Sequence, residues 1–249
     1  MIIDGMMHLE VVGEYWDGLV EEVLEYYDTA GIDMGVVMTT WTPSAESNDR
    51  TRAACQKYPD RFIPFGHVRP VDAWEDELKR IAGEFGWTGL KLHEVELRQG
   101  GPDVGATTMA IAERAAALGI RTVKIHLVDY EIIERLTREF PGVTWILPHM
   151  GCWDKWREMD RYCDLARERK NVYLDTCAVW AYYDFGRAFR RAGVEKITFA
   201  SDGHMFSPLV EKAKIDTLRL PTPYRAPRLT DEEYRLIMGG NMAGLLRIG

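Results

Sequence analysis

Six histidines, His8, His67, His93, His126, His149 and His204, are spread through a chain of 249 residues. Each falls at the end of a short apolar, β-branched run or within about three residues beyond one, on the boundaries that period-2 runs allow. Imidazole with carboxylate is the donor set for zinc and similar divalent metals, and a catalytic site uses three protein donors and keeps a fourth position open for water. A metal so held lowers the pKa of its water from about 15.7 toward 7, which makes hydroxide available at neutral pH. Asp202, closing Ile197-Thr198-Phe199-Ala200-Ser201, adds a carboxylate, and Asp4, Glu10, Lys91 and Asp175 are further polar groups near the ends of such runs. Taken singly, a histidine in such a place is as readily a hydrogen-bonded structural group or a helix cap. Six of them at equivalent places are harder to explain that way.

The runs that must position these groups are 1–8, 33–39, 61–67, 87–93, 121–126, 143–148, 171–176 and 196–201. Segments of helical period fill the gaps, among them 16–30, with Trp16, Leu19, Val20, Val23, Leu24 and Tyr27 on one stripe, 106–118 and 130–140. Gly31, Gly119 and Pro141-Gly142 are the helix stops. Alternating strands and helices signify parallel βαβ units. The predicted fold is therefore α/β, a single (β/α)8 TIM barrel over 1–249 with room for slight distortion, since eight units need roughly 250 residues. All strands of such a barrel end at one rim, where catalytic residues collect. A doubly wound sheet alternates in the same way, but Asp4-Gly5-Met6-Met7-His8-Leu9-Glu10 holds no glycine-rich turn to cradle a pyrophosphate. The stretch 216–229 is proline-rich and irregular, and Thr230-Asp231-Glu232-Glu233 opens a last helix with a good N-cap.

A net charge of -8 and a pI near 5.4 argue against nucleic acid, whose readers gather Lys and Arg on a basic face. With 46% apolar and 28% charged residues, the chain should fold throughout. No apolar run reaches the roughly 18 residues that a bilayer span needs, and Met1-Ile2-Ile3-Asp4 lacks the marks of a secretory leader. The expectation is a cytoplasmic protein with no membrane partner, a small-molecule substrate, and Cys55, Cys152, Cys163 and Cys177 as thiols. Assembly into a homo-oligomer is left open.

At its chemistry-bearing residues the chain resembles the amidohydrolase superfamily, in particular its metal-dependent amidohydrolase 2 branch of hydrolases, lactonases and nonoxidative decarboxylases. Ile3-Asp4-Gly5-Met6-Met7-His8 looks like the family's Asp-x-His-x-His on strand 1. Val123-Lys124-Ile125-His126 looks like its strand 5 histidine, and Leu147-Pro148-His149-Met150-Gly151 like that of strand 6. Asn171-Val172-Tyr173-Leu174-Asp175-Thr176 is similar to the seventh strand, Phe199-Ala200-Ser201-Asp202 to the eighth, and Met238-Gly239-Gly240-Asn241-Met242-Ala243-Gly244-Leu245-Leu246 to the closing helix. The resemblance implies that His8, His126 and Asp202 bind metal and that His149 is an acid, base or orienting group. Gly89-Leu90-Lys91-Leu92-His93 is similar to a fourth-strand motif whose histidine faces substrate or metal. One position departs: Met6 stands where the first strand 1 histidine belongs, and a thioether suits softer ions than zinc. Residues i and i+2 of a strand share a face, so Met6 should still point at the site, beside His8.

The leading functional expectation is a metal-dependent hydrolase with one divalent metal, zinc first and manganese as the alternative. Activated water would attack an ester, lactone or amide carbonyl of a small carboxylate-bearing substrate, with Asp202 and His149 sharing the proton transfers. Lys91, His93, Arg69 and His204 are the candidate substrate-binding groups, although a Lys or Arg near a strand end commonly makes a structural ion pair. A nonoxidative decarboxylase or hydratase on the same site is the alternative, and Met6 motivates a third, a metal-free or non-catalytic barrel. The longest rim loops are expected at 40–48, 94–104 and 203–208. Trp41, Trp153 and Trp180 all follow strands and offer an aromatic wall, though each alone reads equally as core or interface.

Overall fold

Tyr27 and Gly35 show how the sequence builds the first unit. A Cβ at Gly35 would stand 2.0 Å from the Tyr27 hydroxyl, so only glycine lets α1 (Leu19–Ala30) seat its tyrosine on the strand beneath. That helix ends at Gly31, whose φ of 67° is the left-handed turn glycine adopts at low cost. The same logic repeats along the chain. The computed structural model describes residues 1–10, 13–221 and 228–248. Its strands are β1 (Ile3–His8), β2 (Met34–Met38), β3 (Phe62–Pro64), β4 (Gly66–His67), β5 (Gly89–His93), β6 (Thr122–His126), β7 (Thr144–Leu147), β8 (Val172–Asp175) and β9 (Ile197–Thr198). The further α-helices are α2 (Ser44–Lys57), α3 (Trp74–Lys79), α4 (Glu94–Leu97), α5 (Val104–Ala117), α6 (Tyr130–Glu139), α7 (Met159–Glu168), α8 (Phe185–Ala192), α9 (Pro208–Asp216), α10 (Asp231–Arg235) and α11 (Asn241–Leu246).

Every strand pair is parallel. The strand expected at 61–67 forms two pieces, β3 and β4, parted at Phe65, whose N–H nevertheless bonds Val37 O at 3.0 Å. Counted as one, they make eight staves. The last stave returns to the first through Gly5 N to Phe199 O (2.9 Å), Asp202 N to Met6 O (2.9 Å) and a bridge between Met7 and Gly203. These bonds join the ends of the two sheets, β1-β2-β3 and β4 to β9, into the barrel. The stave expected at 196–201 is regular only over Ile197–Thr198, because Phe199 N turns to Ile237 O while Gly5 takes its carbonyl.

Inside the barrel, Ile3, Met6, Val36, Met38, Phe65, Ile146, Cys177, Ala200 and Met242 form one apolar cluster, and a larger one lies between strands and helices. At about 25 cal/mol per Å2 of apolar surface, burial of this kind is the main driving term of the fold. Helix starts follow their caps: Asp103 accepts from Ala106 N (2.8 Å), Asp129 from Ile132 N (3.2 Å), and Thr230 with Glu233 makes a full capping box. Trp16, expected on the α1 stripe, precedes that helix and is partly exposed, because α1 begins only at Leu19. Of the irregular stretch 216–229, α9 takes Asp216 and a 3-10 turn takes Thr217–Arg219, while 222–227 lies outside the described residues. The expected rim loops at 40–48 and 94–104 are instead partly helical, holding the start of α2 and all of α4. No helix among the described residues is long and apolar enough to cross a membrane.

Candidate active site

His8 ends β1, and its ring is fixed from behind. Nδ1 donates to Thr40 Oγ1 (3.1 Å) and lies 3.5 Å from Glu10 Oε1, which itself accepts from Thr40 N (2.6 Å) and Thr40 Oγ1 (2.5 Å). This aims Nε2 at Asp202 Oδ1, 3.3 Å away. His149 follows β7 and is held by the same device: Nδ1 donates to Cys177 O (3.0 Å), and its backbone N–H to Asp175 Oδ1 (3.1 Å). His126, at the end of β6, lies between His93 and His149, with ring centroids 4.5 and 4.7 Å apart, and has no hydrogen-bond partner among the described residues. His93 Nδ1 accepts from Val95 N (3.2 Å), capping α4.

Beneath the imidazoles lies a buried polar layer. The Lys124 ammonium and the Asp175 carboxylate are paired and fully buried. Asp175 Oδ1 also accepts from Cys177 N (3.3 Å) and Cys177 Sγ (2.9 Å). Lys91 is buried as well, and among the described residues its one hydrogen-bond acceptor is the Met6 sulfur, 3.2 Å from Nζ. Met6 therefore does point inward from β1, as its strand position implies, but its sulfur meets a lysine.

The electrostatics divide these groups. Burial opposes the charged form of His8, yet its hydrogen bonds to Asp202 and Glu10 outweigh that and raise its pKa to about 9. Burial likewise opposes the Asp202 carboxylate, but His8, with the charges of His149 and Lys91, holds it well below the usual carboxylate range. Burial lowers His126 and His149, and drives His93 down to about 2 with help from Lys91. His93, His126 and His149 are thus neutral beside one fixed carboxylate at neutral pH, the protonation state metal ligation requires, whereas His8 carries its proton there. Burial also brings Lys91 down to about 8 and pushes the Cys177 thiol well up.

A cavity of about 470 Å3 opens above this floor, walled by Trp41, Trp153, His8, His93, His126, Lys91 and Asp202, with Arg98, Lys155 and Glu94 at its edge. Trp41, His149, Trp153 and Asp202 all have positive φ, between 43° and 63°. Such backbone is uncommon outside glycine and costs about 1–3 kcal/mol per residue, and it collects where side chains are aimed for function.

The sequence-predicted residues separate accordingly. His8, Lys91, His93, His126 and Asp202 line the cavity, and His149 packs against His126 and Trp153 (centroids 4.5 Å from Trp153). His67 turns into the protein, bonding Glu96 Oε2 at 2.7 Å. Arg69 and His204, expected at the substrate, stand apart from this wall. Arg69 lies 3.9 Å from both Asp72 and Glu96, and His204 packs edge-on against Trp16 and Tyr26. Trp180 is 80% exposed and takes no part in the aromatic wall. Sequence reasoning missed Arg98 and Lys155, and it counted Cys177 only as a thiol. The signal for Cys177 was its place two residues beyond the β8 aspartate, at the strand end where the rim collects its side chains.

The donors present fit a divalent metal. His8 and His149 each have the outer ring nitrogen tied to a carboxylate-bound hydroxyl or a carbonyl, the arrangement that orients ligating imidazoles. Asp202 is the carboxylate they share. Among the described residues, the three donors whose ligating atoms all lie within 4.8 Å of one another are His149, Cys177 and Asp202. His8 joins this group through Asp202, while His126 stands one ring further along.

The family model for amidohydrolases matches residues 14–248. No curated protein matches the chain in sequence. Among solved structures, it is similar to 5-carboxyvanillate decarboxylase from Sphingomonas paucimobilis, at 16% identity and a TM-score of 0.72, covering 100% of this chain and 99% of that one. It is similar to 4-oxalomesaconate hydratase from Rhodopseudomonas palustris at 19% identity and a TM-score of 0.72, covering 100% and 96%. A third likeness, at 16% identity and a TM-score of 0.71, covering 99% and 96%, is to 5-carboxyvanillate decarboxylase from Novosphingobium aromaticivorans complexed with manganese and 4-hydroxy-3-methoxy-5-nitrobenzoic acid. At these identities the likeness is one of fold.

Proposed function

Because the chain belongs to the amidohydrolase family, we propose that it is a metal-dependent enzyme that removes a carboxylate, without oxidation, from a small planar acid. The observation that carries this reading is the cavity itself: two tryptophan rings, Trp41 and Trp153, stand over a floor holding the Lys91 ammonium, His8 and Asp202. Flat apolar walls suit a ring or an enol, and a buried cation whose one acceptor among the described residues is a thioether suits the substrate's carboxylate. The structural relatives named above, two decarboxylases and a hydratase acting on small acids, support the same class of substrate. They set decarboxylation and hydration beside the hydrolysis that the sequence favours.

A divalent metal, held by Asp202 with the neighbouring imidazoles of His126 and His149, would orient the substrate's oxygens and draw electron density from the reacting carbon. The remaining work falls to the chain. Lys91 holds the carboxylate, and the tryptophans fix the ring plane and exclude water. The carbon to carboxylate bond breaks with its electron pair left on the ring carbon, carbon dioxide departs, and the His8–Asp202 pair delivers the replacing proton. Such a positioned acid contributes about 10² to 10⁴ in rate.

Hydrolysis is the second reading, and the observation favouring it is that Asp202 is held ionised beside His8, as a base for water must be. One screen separates them. Carboxylated phenols and enol acids, lactones and amides are offered with and without added zinc or manganese, and carbon dioxide is measured. Metal-dependent release of carbon dioxide from the acids is expected. Turnover of a lactone or amide without carbon dioxide would replace this reading by hydrolysis, and failure of the chain to hold any metal would replace both by a barrel without metal chemistry.

A further inference from the structure

We infer that Cys177 supplies a thiolate ligand to the metal, which sits between His149, Cys177 and Asp202 and takes sulfur where the strand 1 imidazole is missing; the inference rests on the metal-dependent reading above. Three observations converge on it. The ligating atoms of these residues form the compact donor group of the described structure, all within 4.8 Å of one another. A tetrahedral ion with bonds of about 2.0–2.3 Å sets its donors roughly 3.3–3.8 Å apart, so the widest separation closes by about 1 Å on binding. Cys177 Sγ lies 3.3 Å from His149 Nδ1, and because that nitrogen already donates to Cys177 O, Nε2 of the same ring is left to bind the ion.

Next, Cys177 is a free cysteine at 0% exposure, on the inner face of the barrel, beside the site and not in the packed layer behind the helices. Its thiol is aimed by a bond to Asp175 Oδ1 (2.9 Å), the carboxylate that also positions the His149 backbone. A buried sulfur held in register with an imidazole and a carboxylate is a ligand set for zinc. Finally, Met6 leaves the strand 1 side of the rim without its imidazole, and the Met6 sulfur is engaged by Lys91. The donors that remain close together come from the ends of β7, β8 and β9, on the side of the rim that closes onto β1.

On binding, the S–H bond breaks, its electron pair passes to the metal, and the proton leaves to solvent. The anionic sulfur and Asp202 then face the Lys91 ammonium across the floor of the cavity. His8, still paired with Asp202, remains free to handle the substrate proton. A thiolate also makes the site softer, so it should prefer zinc to manganese.

Cobalt(II) added to the chelator-stripped protein reads the ligand directly. The wild-type chain should bind one cobalt and show a near-ultraviolet sulfur-to-cobalt charge-transfer band. Cys177→Ser should still fold and bind cobalt, without that band. In chelator competition its zinc affinity should fall by more than the about 10- to 100-fold that outer partners contribute, and its manganese affinity by less. A wild-type chain that binds cobalt without the band, or a band that persists in Cys177→Ser, would overturn the role of Cys177 and leave the metal reading standing. Failure of the wild type to bind cobalt at all would remove both. If Cys177→Ser does not fold, the triple variant Cys55→Ser, Cys152→Ser, Cys163→Ser decides instead: with Cys177 as its only thiol it should keep the band, and loss of the band refutes the inference.

Discussion

Lys124→Met should be among the most damaging single changes in this protein, although Lys124 touches neither the cavity nor solvent. Its ammonium is the only cation paired with Asp175 among the described residues, and both groups are 0% exposed. Removing it leaves a buried carboxylate without a counter-charge, which typically costs 3–5 kcal/mol. The bonds that Asp175 accepts from His149 N, Cys177 N and Cys177 Sγ reduce that cost without replacing the cation. For a domain of this size each kcal/mol moves Tm by about 2–4 °C, so a fall of roughly 6–20 °C is expected. Urea unfolding followed by circular dichroism gives the free energy. Asp175→Asn placed on Lys124→Met should recover part of the loss, since an amide in the same position can accept the same bonds without carrying a charge. A loss under about 1 kcal/mol for Lys124→Met, or no recovery in the double variant, would refute the claim that an unpaired buried charge is the cause.

Three further outcomes follow from the same structure. If the Lys91 ammonium holds the substrate's carboxylate, kcat/KM should fall as pH rises through about 8, the value to which burial brings it, and Lys91→Met should lose both the alkaline limb and most of the substrate affinity; an unchanged profile in that variant counts against the role. Burial raises Asp4 from 3.8 to about 6, so its contribution to stability is fully present below about pH 3.8 and is lost as pH rises through about 6. The loss amounts to roughly 3 kcal/mol from a shift of about two units, and the difference in urea midpoint between wild type and Asp4→Asn, followed from pH 4 to 7, should shrink accordingly; a constant difference contradicts it. Trp153→Ala should weaken binding of a ring substrate about 2- to 10-fold, on the about 0.5–1.5 kcal/mol that an aromatic pair contributes, with kcat less affected; an equal effect on an aliphatic substrate would show that the ring is not being stacked.

How much of this was legible beforehand depends on the range of the interaction involved. Hydrophobic period, helix caps and glycine stops act within a few residues. The staves other than the last, α6 at Tyr130–Glu139 and the N-cap at Thr230 could therefore be read from the chain alone, to within a residue or two. The barrel's one-sided rim then collects strand ends whatever their sequence, which brought His8, His93, His126, His149 and Asp202 together on the strength of their positions. What each side chain does once there is settled by partners remote in sequence. Glu96, 29 residues on, draws His67 inward, and the carboxylates of Asp72 and Glu96 hold Arg69 off the cavity. Lys91, 85 residues beyond Met6, takes up the sulfur of the one position that departs from the family pattern. Cys177 gained its neighbours in the same way, because β7, β8 and β9 end side by side and Asp175 directs both its thiol and the His149 backbone. No periodicity carries such pairings: they arise only when the barrel closes and low-dielectric burial makes each polar group seek whichever partner has come within reach.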